Sequence, residues 1–291
     1  MDTFFINGRA ADSAYVFTRD DPQVVDRREF VEDLWRPTRR YLDRNLRDDA
    51  RNHFLERFWE MYLAATLLEK GFVLTKHGDE GPEFSAQIGT ERVWFEAVAP
   101  TPGTGPDQVR ELAAGLVPQS VPVDQILMRF TNAFAEKMKR YLVAIDRNIV
   151  APADPYILAI NSSAIQWPES DSNVPYFVRA FLGVGSQVIA FDTKTHEVVG
   201  SSFQYRPKIQ KSNGADVSTG RLFEEDAGFC SALIHSAVDW ANPPRALGAE
   251  FQVLHNPRAL HPIGEDVFHW CTQFIVRGNE IHRLEPDSER V

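Results

Sequence analysis

Hydrophobic positions crowd most densely between residues 54 and 68, where the run FWEMYLAATLL puts apolar side chains around almost the whole circumference of a helix. A helix of that kind is buried, and Lys70-Gly71 supplies the glycine that commonly stops one. Upstream, from about Val24, the pattern predicts more helix, broken near Pro37 and again near 48–51. Pro37 is expected to open a helix, because proline suits the first helical turn. A short strand is expected at 15–18. Beyond Gly71 the period changes to two. Residues 72–75 read as a strand, and 83–88 with 93–99 read as a hairpin turning at Gly89-Thr90. The Pro-, Gly- and Thr-rich stretch 100–123 reads as a loop, after which Asp124 is placed to cap a helix running to about Asp146. The apolar, β-branched run 156–161 predicts a buried strand, and strand signals recur at 187–191, 198–205, 251–255 and 267–275.

Together these elements predict an α/β fold with a mixed central sheet flanked by helices. The expected division is an N-terminal helical extension at 1–50, a core at 51–161 and a C-terminal α/β continuation at 162–291. The length allows a substantial buried core. No run reaches the roughly 18–20 apolar residues of a membrane span, and the first residues lack the basic start and apolar stretch of a signal peptide. A cytoplasmic protein is expected, with no membrane partner. Two cysteines, Cys230 and Cys271, are too few for a disulfide framework. The net charge of −10 argues against general affinity for nucleic acid, although it leaves a local basic groove open.

Within this pattern three carboxylates stand out. Glu60 is the single charged residue from Phe58 to Leu68, and a buried carboxylate is costly unless it is ion-paired or binds a metal. Arg57 is the obvious partner for the first case. Glu83 opens a strand just after Gly81-Pro82. Glu96 lies in the middle of VWFEAVA, sharing a face with Trp94 and Val98, while Val93, Phe95, Ala97 and Ala99 share the other.

The order of these residues carries a resemblance. A helix glutamate, then Gly-Pro-Glu-Phe opening a strand, then Trp-Phe-Glu-Ala-Val in the next strand is similar to the PD-(D/E)XK, or restriction-endonuclease-like, superfamily of metal-dependent nucleases. The resemblance covers residues 54–141. It implies a restriction-endonuclease-like core in which Glu83 and Glu96 hold Mg²⁺ (or Mn²⁺) and Glu60 joins them from its helix. It further implies a Mg-dependent endonuclease acting on DNA, in restriction or defence, and a homodimer where both strands are cut. This chain departs from the pattern in having Glu83 where an aspartate is commoner. It also has Val98 at the position of the lysine that assists water. Lysines moved to a neighbouring helix are known in the superfamily. On the helix expected at 124–146, Leu127, Phe130, Phe134, Met138, Tyr141 and Ile145 form one apolar stripe, and Lys137 borders it about 60° from Phe134. Lys137 is therefore the candidate replacement, able to lay its stem on the core and present its ammonium to the site. The alternative expectation is a nuclease-like module that has lost catalysis and serves in binding or assembly. Val98 and the acidic charge favour it.

Other features are weaker. Arginines 36, 40, 44, 47 and 51 would form a stripe on a continuous helix, suited to a phosphate backbone or to pairing with neighbouring acids. His255, His261, His269 and Cys271 lack the tight spacing of a zinc site. Ser162-Ser163 lacks the Gly-x-Ser-x-Gly elbow of a serine hydrolase.

Overall fold

The computed structural model describes residues 3–77, 81–112, 119–165, 167 and 174–287. The chain begins with helices α1 (Ser13–Asp20), α2 (Val25–Thr38), α3 (Leu46–Asp49) and α4 (Phe54–Glu69). Three strands follow: β1 (Val73–Lys76), β2 (Phe84–Ile88) and β3 (Glu91–Val98). Helix α5 (Val123–Asp146) leads to strand β4 (Tyr156–Asn161). The remainder comprises α6 (Tyr176–Leu182), β5 (Val184–Phe191), β6 (Val198–Tyr205), β7 (Lys208–Gln210), β8 (Asp216–Ser218), β9 (Cys230–Ser236), β10 (Gln252–His255), β11 (Thr272–Arg277) and β12 (Glu280–Leu284).

Eight strands form one mixed sheet in the order β1-β2-β3-β4-β9-β10-β11-β12. The first three are antiparallel neighbours, and β3, β4 and β9 run parallel. The expectation of a mixed sheet with flanking helices is met. The alternation of side chains along each strand divides the interior into two cores. Val93, Phe95, Ala97, Ile157, Ala159 and Ile234 face α2 and α4. Trp94, Leu158, Ile160, Leu233 and Phe274 face α5 and α6. The central strand β4 is buried throughout, which is why it reads as an uninterrupted apolar run. The segment after residue 161 continues this sheet through β9 to β12, while β5–β6 and β7–β8 pair only as separate ribbons.

Several local expectations are corrected. Residues 15–18 lie inside α1, because Asp12 caps the helix: its Oδ1 accepts the backbone N–H groups of Ala14 and Tyr15 at 2.9 and 3.0 Å. Pro37 does not open a helix but sits in the last turn of α2, one residue before its end. The proline that opens the helical stretch is Pro22, behind a side-chain cap from Asp21 to the Gln23 N–H at 2.8 Å. Asp124 is not the cap of α5. Pro122 holds that position, and the Asp124 carboxylate is engaged by the Arg206 guanidinium through two 2.7 Å hydrogen bonds. The segment expected as one strand at 267–275 is a short 3₁₀ turn, Glu265–Phe268, followed by β11.

The stop of α4 follows the expected logic. Gly71 adopts φ +85°, and the N–H groups of Gly71 and Phe72 return to the carbonyls of Leu68 and Leu67.

Candidate active site

The hairpin register sets the first two carboxylates. Phe84 pairs with Phe95 across β2 and β3, so the same register continued by one residue places Glu83 opposite Glu96. Pro82, buried before it, ends the link and delivers Glu83 to the mouth of β2. Glu96 shares its strand face with Trp94, on the α5 side of the sheet. Helix α5 buries the stripe from Leu127 to Tyr141 against that same face. This leaves Lys137 at the border, and its ammonium forms an ion pair with Glu96 Oε1. The two side chains are 13% and 12% exposed, so the pair is largely withdrawn from water. Glu60 enters from α4, 4% exposed. Its Oε1 accepts from Arg57 Nη1 at 2.5 Å one helical turn away, while its Oε2 is buried without a hydrogen-bond partner. Among the described residues, Glu83 has neither a hydrogen-bond nor an ion-pair partner.

All four residues, with Arg57, line one cavity of about 980 Å³ at the end of the sheet where β2 begins and β3 ends. Both helix layers contribute walls. Val98 also lines it and supplies no charge. Three lining residues escaped the sequence reading. His77 bonds Ser85 Oγ through Nε2 at 2.7 Å and packs on Trp94 with ring centres 4.1 Å apart. Arg129 and Asn132 project from α5 into the same space. Their only advance signal was helical spacing toward Lys137.

The electrostatics follow from crowding in a poorly hydrated place. Burial, then the charge of Glu83, holds the Glu60 carboxyl well above the usual carboxylate range, against the pull of Arg57 and Lys137. Burial and the facing Glu96 push Glu83 up to about 7. For Lys137, burial favours loss of the proton, but Glu96, Glu83 and Glu60 outweigh it and hold the ammonium above its ordinary range. Burial, helped by Arg92, lowers the His77 imidazole.

The raised carboxyl of Glu83 has a consequence for stability. Folding favours its neutral form, so stability present at acid pH is lost as pH rises from about 4.5 through about 7. Glu83→Gln is expected to be more stable than the wild type above that range and to converge with it below pH 4.5. Thermal unfolding of both proteins across this interval checks the sign. A variant less stable than the wild type at pH 8 would mean that a favourable partner holds the carboxylate.

Among the described residues, no group of three His, Cys, Asp or Glu side chains stands close enough to enclose a metal ion. Glu60, Glu83 and Glu96 thus share a cavity, not a finished ligand shell. The donor set still fits a hard divalent cation: carboxylate oxygens only, one of them buried and unpartnered.

The remaining candidates lie elsewhere. The arginine stripe is not formed on one helix, because the chain leaves α2 at Thr38 and next turns helical at Leu46. Arg36 pairs with Asp33 at 2.6 Å, Arg40 stacks on Tyr41, and Arg47 donates to the Thr3 carbonyl at 3.0 Å. His255 bonds Gln273 and His269 bonds the Asp266 carbonyl. Cys271 is a buried free thiol pushed up to about 12 by burial. Ser162 Oγ lies 2.8 Å from His235 Nε2, whose Nδ1 faces Gln252 Oε1 at 3.2 Å. That imidazole is 5% exposed, stacked on Phe177 and lowered to about 4 by burial, so these bonds fasten the ends of β4, β9 and β10 together.

The fold and site define a mixed α/β protein with an acid-rich cavity in which Arg57 pairs with Glu60 and Lys137 with Glu96. Comparison with protein-family models, curated proteins and solved structures returns no match. Among the described residues, no helix is long and apolar enough to cross a membrane.

Proposed function

We propose that this cavity is the active site of a metal-dependent phosphodiesterase that cleaves DNA, serving in restriction or defence, on a restriction-endonuclease-like core. The observation that carries the reading is the meeting of Glu60 from α4, Glu83 just before β2, Glu96 from β3 and Lys137 from α5 in one cavity. Their order on helix, hairpin and helix is that of the nuclease resemblance.

In this reading Glu60, Glu83 and Glu96 hold Mg²⁺ or Mn²⁺. A bound divalent ion would neutralise the carboxylates and polarise the phosphodiester. Arg57 fixes the Glu60 carboxylate by one oxygen and leaves the other free. Lys137 has two tasks. Its ammonium holds the Glu96 carboxylate in place, and its remaining N–H donors are available to negative charge developing at the phosphate. Glu83, opposite Glu96 across the hairpin, would offer its unpaired carboxylate to that ion. The non-catalytic binding or assembly module stays as a second reading, favoured by the carboxylates' standing too far apart to enclose an ion and by the Lys137–Glu96 pair occupying one of them.

The test is cleavage of plasmid and single-stranded DNA by purified protein with Mg²⁺ or Mn²⁺, beside Glu96→Ala and Lys137→Ala. Metal-dependent cutting lost in both variants, by about 10²-fold or more, is the expected result. Cutting lost only with Glu96→Ala would keep the nuclease and reject the lysine. No cutting of either substrate would favour the binding module.

A further inference from the structure

An anionic strand approaching an acid-rich cavity needs cations not already committed to carboxylates. Among the described residues, three of the six lysines and arginines lining this one are so committed, while Lys76 donates to the Leu42 carbonyl and Lys139 is exposed. Arg57 is bound to Glu60, Lys137 to Glu96, and Arg140 to Glu136 at 2.6 Å. Arg129 is different. It lines the cavity half-buried, and among the described residues its side chain has no hydrogen bond and no ion pair. Its Nε is fully buried and unpartnered. Asn132, one turn further along α5, lines the same space and is likewise without a hydrogen-bond partner among the described residues.

The guanidinium is also held in place. The loop after β3 crosses it at Gly103, whose φ of +83° suits glycine. A Cβ there would collide with Arg129 Nη1, so the backbone passes directly over the side chain. The loop is itself anchored, because the Val109 N–H bonds the Pro102 carbonyl and Val109 is buried in the core. A planar donor fork already confined in this way loses little freedom when it binds.

We propose that Arg129, assisted by Asn132, grips a backbone phosphate of the substrate at a fixed distance from the bond that is cut, and so sets the path of the strand along α5. The proposal rests on the nuclease reading above. Arg129 precedes Lys137 by eight residues, about 12 Å along the helix. Phosphates of one strand advance about 3.4 Å each along a duplex. The gripped phosphate therefore lies roughly three or four nucleotides from the one beside Lys137. Arg129 is a positioning residue: it touches substrate away from the reacting atoms.

The experiment compares wild type, Arg129→Gln and Arg129→Lys in Mg²⁺ on a short labelled duplex, and on copies carrying one neutral methylphosphonate at successive positions from the cut. For Arg129→Gln, KM is expected to rise about tenfold with kcat little changed. The slope of log kcat/KM against log salt, between roughly 50 and 200 mM, should fall by about one. Arg129→Lys, which keeps the charge, should recover part of the loss and the slope. The wild type should lose about as much from a methylphosphonate three or four positions from the cut, and Arg129→Gln should be indifferent to it. If the wild type cleaves and Arg129→Gln matches it in KM and salt slope, this proposal is overturned and the nuclease reading stands. If kcat falls with KM unchanged, the residue acts at the reacting atoms and positioning is wrong. If the wild type neither binds nor cleaves the duplex, both readings fall together.

Discussion

Lys137→Ala is expected to lower stability by about 3–5 kcal/mol, the cost of breaking a buried ion pair and leaving the other charge behind. The pair is withdrawn from water on both sides, and its loss would leave Glu96 without its ion-pair partner in a cavity it shares with Glu83 and Glu60. A natural domain has about 5–15 kcal/mol in total, so the melting temperature should fall by about 10 °C. Lys137→Met keeps the apolar stem and isolates the charge. In the double variant Glu96→Gln/Lys137→Met neither charge remains, so the combined cost should be smaller than the sum of the single ones by about 1–3 kcal/mol. In the proposed nuclease, activity should not follow stability in this comparison: the double variant regains folding but not cleavage, because Glu96 would hold the metal and Lys137 would meet the phosphate. Denaturant unfolding of the wild type, Lys137→Ala, Lys137→Met, Glu96→Gln and the double variant decides it. A single-variant loss under about 1 kcal/mol is what a hydrated surface pair gives, and would show that water filling the cavity already screens these charges.

Much of this arrangement was legible in the chain because each part obeys one local rule. The period-two alternation of VWFEAVA put Glu96 on the Trp94 face, and the helical stripe from Leu127 to Tyr141 fixed which side of α5 met that face. Two independent periodicities therefore brought Glu96 and Lys137 together. Glu60 stood out by its charge in an apolar run, and Arg57 is indeed its partner. What escaped depends on context beyond a single element. Strand β9, CSALIHS, lies at the centre of the sheet, yet its serines and histidine break the apolar run, because they are satisfied by neighbours far along the chain. Helix α1 was hidden by a short aromatic run whose cap, Asp12, lies outside it. The roles of His77 and Arg129 follow from the loops around the cavity, and no period in the sequence encodes a loop's path.

Addition of Mg²⁺ or Mn²⁺ at pH 8 is expected to raise the melting temperature by about 5 °C, with little effect below pH 6. The cavity's acids are raised first by burial and then by one another, Glu83 acting on Glu60 and Glu96 on Glu83, against the pull of Arg57 and Lys137. A divalent ion supplies counter-charge only to the folded chain, and binding at hundredfold excess over Kd stabilises by about 2.7 kcal/mol. Ligation needs the ionised carboxylates, so protons compete with the metal. With Glu83 at about 7, affinity should climb as pH rises through neutrality and fall away below it, the reverse of the metal-free trend in which rising pH destabilises. Glu83→Gln and Glu96→Gln should each abolish most of the metal response, with Glu96→Gln also lowering the metal-free stability because it leaves Lys137 unpaired. A metal response that persists in both variants would place the ion elsewhere. No response at pH 8 from either ion would remove the chemical basis of the nuclease reading, and would leave the Lys137–Glu96 pair as the cavity's permanent occupant in a protein that binds without cutting.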